Sequence, residues 1–450
     1  MRAFIPTIRL LTALIGAVAV LTSAAAPAVL AQQAMNLEAC IEEALAYYPT
    51  VDRAERTYAG SVIQRREAGS ALLPSVSLTG AFSRYTTVSP QRSLNPATNQ
   101  IVEGSATALT SMSYYSGMSV SQRLFDRAVT ARYTQARAAE ENALSAARLE
   151  RQQVVLLVHQ AYYELLRSER NLEVARSDLE YNQGLLDQVQ TLFELGRIAR
   201  VDVLRQESAV ASAEQRLITA ENGVATGRAE LNYLIGREPT RPVEVVDDLA
   251  YTPEAVRLDN ALTLAGQAHP GLHQAALGVA SAQAGLEATK ASRWPTMNAS
   301  GNYSWRGTSY RDISDAFTRD YTWSVGVSFY LPVFDGLRTR YGIEQAEINL
   351  QGARRDREAV ELQVSRDVHR AVLDLREAEQ VLASAQRAVE LAGEAVRLAE
   401  ERLNLGAGTL LELNASQLDL INASYGSVQA LFSLKIARAA LDFAMGRLER

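Results

Sequence analysis

Four histidines and one cysteine are the side chains best suited to hold a metal or attack a substrate, so their spacing comes first. His159 and His369 occupy equivalent places in the two halves of the chain, where a helical barrel would stack them into a ring able to bind metal or sense acid. Neither has a histidine or cysteine three or four residues on, and a catalytic metal site usually draws on three protein ligands. A polar contact between helices is the expectation for both. His269 and His273 are four apart, but Pro270 and Gly271 between them break the shared helix face that paired ligands need.

Cys40 stands alone, which excludes an intramolecular disulfide and any cysteine-rich metal site. Leu37-Glu38-Ala39-Cys40 loosely resembles a lipoprotein cleavage box, with glutamate where a small residue is wanted, so a buried helix cysteine is expected. The chain has no Gly-rich phosphate loop, G-x-S-x-G elbow or H-E-x-x-H motif. Its many carboxylates sit in helical charge patterns. Neither an enzyme nor a bound cofactor or metal is expected.

The elements that carry these residues are set by hydropathy and charge. Arg2 and Arg9 precede an apolar, alanine-rich stretch from Leu10 to Leu30, and Val29-Leu30-Ala31 suits a signal peptidase, so residues 1–31 read as a removed leader. No later segment has the ~18 uninterrupted apolar residues of a spanning helix, so membrane entry would require β-strands in a closed barrel. A formal charge of −6, from 45 basic and 51 acidic residues, offers no excess for nucleic acid.

An internal repeat organises the chain. Pro49, Pro74, Gly80 and Ser83 recur as Pro270, Pro295, Gly301 and Ser304, at an offset of 221. Gly117 and Phe125-Asp126 recur as Gly326 and Phe334-Asp335, at 209. Leu195-Gly196 and Gly236-Arg237 recur as Leu405-Gly406 and Gly446-Arg447, at 210. Residues 32–251 and 252–450 therefore form two copies of one plan, too long for a solenoid unit of ~20 to 50 residues. Residues 86–110, rich in Ser, Thr, Asn and Pro, read as a loop that absorbs the extra length of the first copy.

Residues 127–195 contain no proline and show apolar residues at threes and fours (Val154, Val158, Ala161, Leu165, Leu172), which is helix periodicity. Residues 336–405 repeat the pattern. Each run ends in a glycine, Gly196 or Gly406, followed by a return helix over 201–235 or 410–446, so each reads as a helical hairpin. Before each long helix lie two segments alternating apolar with Ser, Thr or Asn: about 75–86 and 111–125, then 296–306 and 321–333. Such alternation, with aromatics near some ends, suits transmembrane barrel strands. Four strands cannot close a barrel, which starts at ~8, so if these strands lie in lipid rather than pack as ordinary hairpins on a soluble core, the chain must oligomerise.

In this duplicated order the chain resembles the TolC family of outer-membrane factors across essentially all of its mature length. The segment Leu37 to Pro49 resembles the family's first helix, and Phe125-Asp126 and Phe334-Asp335 its strand-to-helix junctions. Leu195-Gly196 through Asp202-Val203 and Leu405-Gly406 through Glu412-Leu413 resemble its periplasmic hairpin tips. The resemblance implies a mainly α fold with a small β part: a homotrimer sharing one transmembrane β-barrel in outer-membrane lipid and one periplasmic α-barrel. It also implies a passive exit duct of a tripartite efflux pump or type I secretion system, docked on a periplasmic adaptor protein and an inner-membrane pump.

In the family's type member the entrance is narrowed by acidic rings and tied shut by polar links. Glu412 falls on the first acidic position of the second tip and Asp202 on the corresponding one of the first, so both are expected at the channel entrance, where carboxylates concentrate cations. Ala415 replaces the second ring carboxylate, and Gly408 and Leu403 stand where the linking arginine and tyrosine would be. A different closing set is expected here, involving Arg197 or Arg200. Leu195, Gly196, Arg197, Leu405, Gly406 and Thr409 resemble the adaptor-contacting turns. The rival reading is a periplasmic adaptor, which typically carries one hairpin flanked by lipoyl-like and β-barrel segments; a non-membrane coiled-coil scaffold is a third.

Overall fold

A computed structural model of the chain describes residues 34–246, 256–309 and 318–448. The expected leader and the boundary between the two copies lie outside the described residues. The first copy runs α1 (Leu37–Tyr47), α2 (Pro49–Ser70), β1 (Ser75–Asn95), β2 (Gln100–Phe125), α3 (Arg127–Glu194) and α4 (Arg200–Leu234). The second runs α5 (Leu258–Ala268), α6 (Pro270–Ala291), β3 (Thr296–Gly307), β4 (Tyr321–Tyr330), α7 (Arg338–Asn404) and α8 (Leu410–Ala444). The duplication extends to helix lengths: 11, 22, 68 and 35 residues against 11, 22, 67 and 35.

Local chemistry starts and stops these helices. Pro49 and Pro270 open α2 and α6 at a position where the missing N–H has no helical partner to lose. Asp126 caps α3, its carboxylate accepting from the Ala128 amide at 3.0 Å. The second copy departs from this. Gly336 and Leu337 both have positive φ, so α7 starts at Arg338 rather than 336, and Asp335 accepts instead from the Thr339 amide at 2.9 Å.

The four strands form one antiparallel sheet in the order β1-β2-β3-β4. Register places Leu78, Met118, Tyr303 and Trp323 in one row, and Val76 and Val120 in line with Gly301 and Val325. One face is therefore apolar across all four strands. The other carries Ser77, Ser119, Asn302 and Ser324 in a row, with the Ser77 and Ser119 hydroxyls 2.7 Å apart. β3 and β4, with 12 and 10 residues, match the ~9–11 that span a bilayer when tilted.

Two strand expectations are corrected. Residues 86–110 are not a loop: β1 and β2 stay paired from Ser75↔Ser121 to Asn95↔Gln100 around a short turn at residues 96–99. Threonine and valine favour extended backbone and recur through the stretch, as at Thr86, Thr87, Val88 and Thr110. β4 ends at Tyr330 rather than 333, next to Pro332, which cannot donate to a ladder.

The helices pack as a layer one helix thick. α3, on the order of 100 Å long, is flanked along one side by α2 and α4 and along the other by α6 and α8; α7 packs on the far side of α6 and α8. No extended contact joins α7 to α2 or α4. The main core lies where α1, α3, α4 and α8 meet, around Cys40, Val158, Leu165, Leu231 and Phe432. Burial, then the nearby Glu43 carboxylate, pushes the Cys40 thiol up to about 12, so it is an inert core side chain.

Inside this layer a chain of buried polar groups crosses three helices. Asp178 on α3 accepts from Arg216 on α4 at 2.6 and 2.9 Å, while its backbone and side chain accept from Asn182. Gln206 on α4 donates to Asn182 at 3.0 Å, and Asn414 on α8 donates to Gln206 at 3.2 Å. Asp178 is 1% exposed, so Asp178→Ala would strand the Arg216 guanidinium in a half-buried site. The expected loss is roughly 2–3 kcal/mol, less than for a fully buried pair, read as a lower temperature for loss of helical ellipticity in detergent.

Candidate channel entrance at the hairpin tips

Both hairpins end the same way. At the first tip Gly196 has φ +72°, which lets the Arg197 amide donate to Leu192 and the Gly196 amide to Phe193, at 2.9 and 2.8 Å. At the second Gly406 has φ +70°, with the Ala407 amide on Arg402 and the Gly406 amide on Leu403, at 2.8 and 3.0 Å. These paired bonds satisfy carbonyls the helix end would leave open, and the left-handed residue they require favours glycine. The preceding leucines, Leu195 and Leu405, project into solvent at 65% and 83% exposure.

The two tips differ in charge. In the second, Thr409 caps α8 by accepting from the Glu412 amide at 3.2 Å, and Glu412 lies in the first turn, where the helix dipole favours an anion. Its carboxylate also pairs across the turn with Arg402 at 3.5 Å. In the first, Asp202 pairs with Arg205 at 3.4 Å on the same helix. Asp202 and Glu412 thus each sit beside an arginine. Arg197 and Arg200 are exposed and have no hydrogen-bond or ion-pair partner for their side chains among the described residues.

Above the tips the two hairpins are tied together within the chain. The Tyr181 hydroxyl on α3 donates to Glu400 on α7 at 2.8 Å; burial, then this contact, holds its ionisation above the ordinary tyrosine range. Leu185 and Val189 pack against Val396, Ala399, Leu410 and Leu413 just below. Tyr181, Glu400 and the Asp178–Asn414 chain escaped the sequence reading. A usable signal was there: Ala175, Asp178, Asn182, Leu185 and Val189 recur at threes and fours on one stripe, with two polar residues where a coiled coil wants apolar ones.

The histidines do not form one kind of site. His159 is half-buried, its ring 6.0 Å from that of Tyr163, and burial pushes its pKa down to about 4. His369 is exposed. His269 caps α6, its Nδ1 accepting from the Gly271 amide at 3.1 Å.

The family described as outer membrane efflux protein matches residues 40–237 and 261–447, one match in each structural copy. The chain belongs to that family. Its compartment is accordingly the outer membrane, and its two-hairpin plan is that of the family's channels rather than of a periplasmic adaptor. It is 30% identical to Protein CyaE of Bordetella pertussis over 64% of this chain and 61% of that protein, so the alignment spans less than two thirds of that relative. It is 23% identical to Outer membrane protein TolC of Vibrio cholerae over 72% of this chain and 76% of that one. Crystal structures of CusC share the fold with a TM-score of 0.78 at 17% identity, covering 91% of this chain and 92% of that one. The outer membrane protein VceC of Vibrio cholerae matches with a TM-score of 0.75 at 19% identity, covering 91% of this chain and 96% of that one.

Glu412→Gln leaves Arg402 uncompensated, so the reversal potential in a KCl gradient should move toward anion preference, whereas Arg197→Gln with Arg200→Gln should move it toward cations; no movement in either variant would remove these residues from the entrance. His159 has its folded pKa depressed below the usual ~6.5, so its contribution to stability is complete above that pH and is lost as pH falls toward about 4. Thermal melting between those values should flatten in His159→Leu.

Proposed function

We propose that three copies of this chain close into a single passive conduit, a shared β-barrel in outer-membrane lipid continued by a periplasmic α-barrel. The observation that carries the reading is that sheet and helical layer are open at the same two flanks. β1 and β4 are the sheet edges; α2, joined to β1, lies with α4 at one flank of the layer, and α7, joined to β4, lies at the other. A chain open on both flanks closes by repetition around an axis, and twelve strands exceed the ~8 needed for a barrel.

Side-chain pattern supports the same closure. Advancing 100° per residue, Leu362, Leu373, Leu391 and Leu398 of α7 fall within about 20° of one another, facing away from its buried residues Leu350, Val368 and Leu375. Val201, Leu204, Ile218 and Tyr233 of α4 spread over about 100° on the exposed side opposite Gln206, Ala213 and Leu231. Each outer helix thus offers a second apolar face, and pairing α7 of one copy with α4 of the next buries both.

In this conduit Asp202 and Glu412 line the constricted periplasmic entrance. Leu195, Gly196, Arg197, Leu405, Gly406 and Thr409 form the surface that meets a periplasmic adaptor, which links the duct to an energised inner-membrane pump or secretion apparatus. The chain catalyses no step; solute or polypeptide moves through by diffusion or is driven from the partner.

Single-channel recording of the detergent-purified protein, beside a crosslinking ladder, tests the reading: discrete conductance from a species that crosslinks no further than three copies is expected. Leu391→Glu with Leu398→Glu should shorten the ladder to one or two copies and abolish conductance. A non-conducting wild-type monomer would overturn the proposal.

A further inference from the structure

The geometry points to a collar of arginines at the periplasmic end of the sheet that binds the phosphate headgroups of anionic phospholipids in the facing leaflet, an inference that rests on the barrel lying in the outer membrane. The pairings Ser75↔Ser121, Phe125↔Met297 and Thr296↔Tyr330 bring all four strand-to-helix junctions to one level. Residues 65–73, 122–132, 287–294 and 335–341, which surround these junctions, hold nine basic side chains against four acidic ones, a surplus of five in a chain whose formal charge is −6.

Three of the four acids are already engaged. Asp126 caps α3 and pairs with Arg123 at 3.2 Å, Glu287 pairs with Lys290 at 3.6 Å and Arg127 at 3.8 Å, and Asp335 accepts from Thr339. Arg66, Arg132, Arg293, Arg338 and Arg340 are exposed, and their side chains have no hydrogen-bond or ion-pair partner among the described residues. Arg338 and Arg340 also sit in the first turn of α7, beside the positive end of a helix dipole that disfavours cations. Within one copy the Asp335 carboxylate is the charge that responds to Arg338: the Thr339 hydroxyl first, and Arg338 after it, hold its ionisation below the ordinary range.

Their surroundings indicate what they meet. Leu73, Trp294, Val333 and Phe334 are exposed at the same level, and the Arg127 guanidinium lies 4.8 Å over the Trp294 ring. Apolar strand face, aromatic belt and arginine thus follow one another down the molecule, the order of hydrocarbon, interface and headgroup in a bilayer. The arginines lie within about two helical turns, ~10 Å, of the strand ends. The headgroup layer is about 5–8 Å thick on each side, and arginine side chains extend to reach it. These unpaired positive charges favour lipids whose phosphate charge no headgroup cation cancels, and each planar guanidinium can donate two parallel hydrogen bonds to such a phosphate.

The test uses the full mature protein in mild detergent, titrated with phosphatidylglycerol or with phosphatidylcholine of the same acyl chains and read by native mass spectrometry. Retention of phosphatidylglycerol should exceed that of phosphatidylcholine by on the order of fivefold per engaged arginine. The preference should fall toward parity in Arg293→Gln/Arg338→Gln/Arg340→Gln, and persist both when the same three are lysine and in Arg355→Gln, a remote control on α7. Equal retention of the two lipids by the wild type would overturn the collar, as would a preference unchanged in the triple glutamine variant. Conductance recorded on the same samples separates this outcome from failure of the channel reading, since loss of the collar leaves the conduit intact.

Discussion

The outer edges of β1 and β4 present backbone N–H and C=O groups with no partner inside the four-stranded sheet. In water such edges are a liability; in lipid each unpaired group costs several kcal/mol, so an open sheet cannot persist there. Most of the molecule's architecture follows from this constraint. The apolar face shared by Leu78, Met118, Tyr303 and Trp323 suits the sheet to lipid, and lipid then demands closure. The helical layer inherits the same two open flanks because each edge strand is joined through a junction of a few residues to an outer helix. Apolar stripes on α4 and α7 opposite their buried faces answer on the helical side what the strand edges require on the other.

Within a copy, rigidity comes from a mixed strategy. The core around Val158, Leu165 and Leu231 is ordinary hydrophobic packing at the level where the short helix α1 joins the long ones. Nearer the tips, packing gives way to Arg216–Asp178–Asn182–Gln206–Asn414, in which the bonds between helices, from Arg216 to Asp178, Gln206 to Asn182 and Asn414 to Gln206, fix how far one helix slides along the next. Helices of this length have many nearly equivalent registers, and polar pairs penalise the wrong ones more sharply than leucines do. The Tyr181–Glu400 contact then sets the spacing of the two tips.

Much of this was legible from spacing alone. Periodicity between Arg127 and Leu195, the two glycine-ended hairpins and the alternation around Val76 and Trp323 all depend on local rules that a repeat states twice. What escaped depended on pairing between distant residues. The stretch 86–110 is rich in residues common to turns and strands alike, and only its partner strand across a short turn decides between them. Asp178 and Asn182 read as solvated helix charge and polarity until α4 and α8 are laid beside them. Glu412 reads as a bare carboxylate until the turn at Gly406 folds Arg402 back toward it. The same logic explains α7, whose start depends on two consecutive left-handed residues that one glycine alone does not announce.

The first hairpin outruns the second: β2 continues from residue 113 back to Gln100 without β3 beside it. The duplication is therefore faithful in the helices and broken in the strands. In a closed trimer the periplasmic end presents six nearly equivalent helix turns, while the outer rim carries three long ribbons separated by three short ones. An assembly fitted to the inner end can match a sixfold pattern, but anything arriving from outside the cell meets a threefold one.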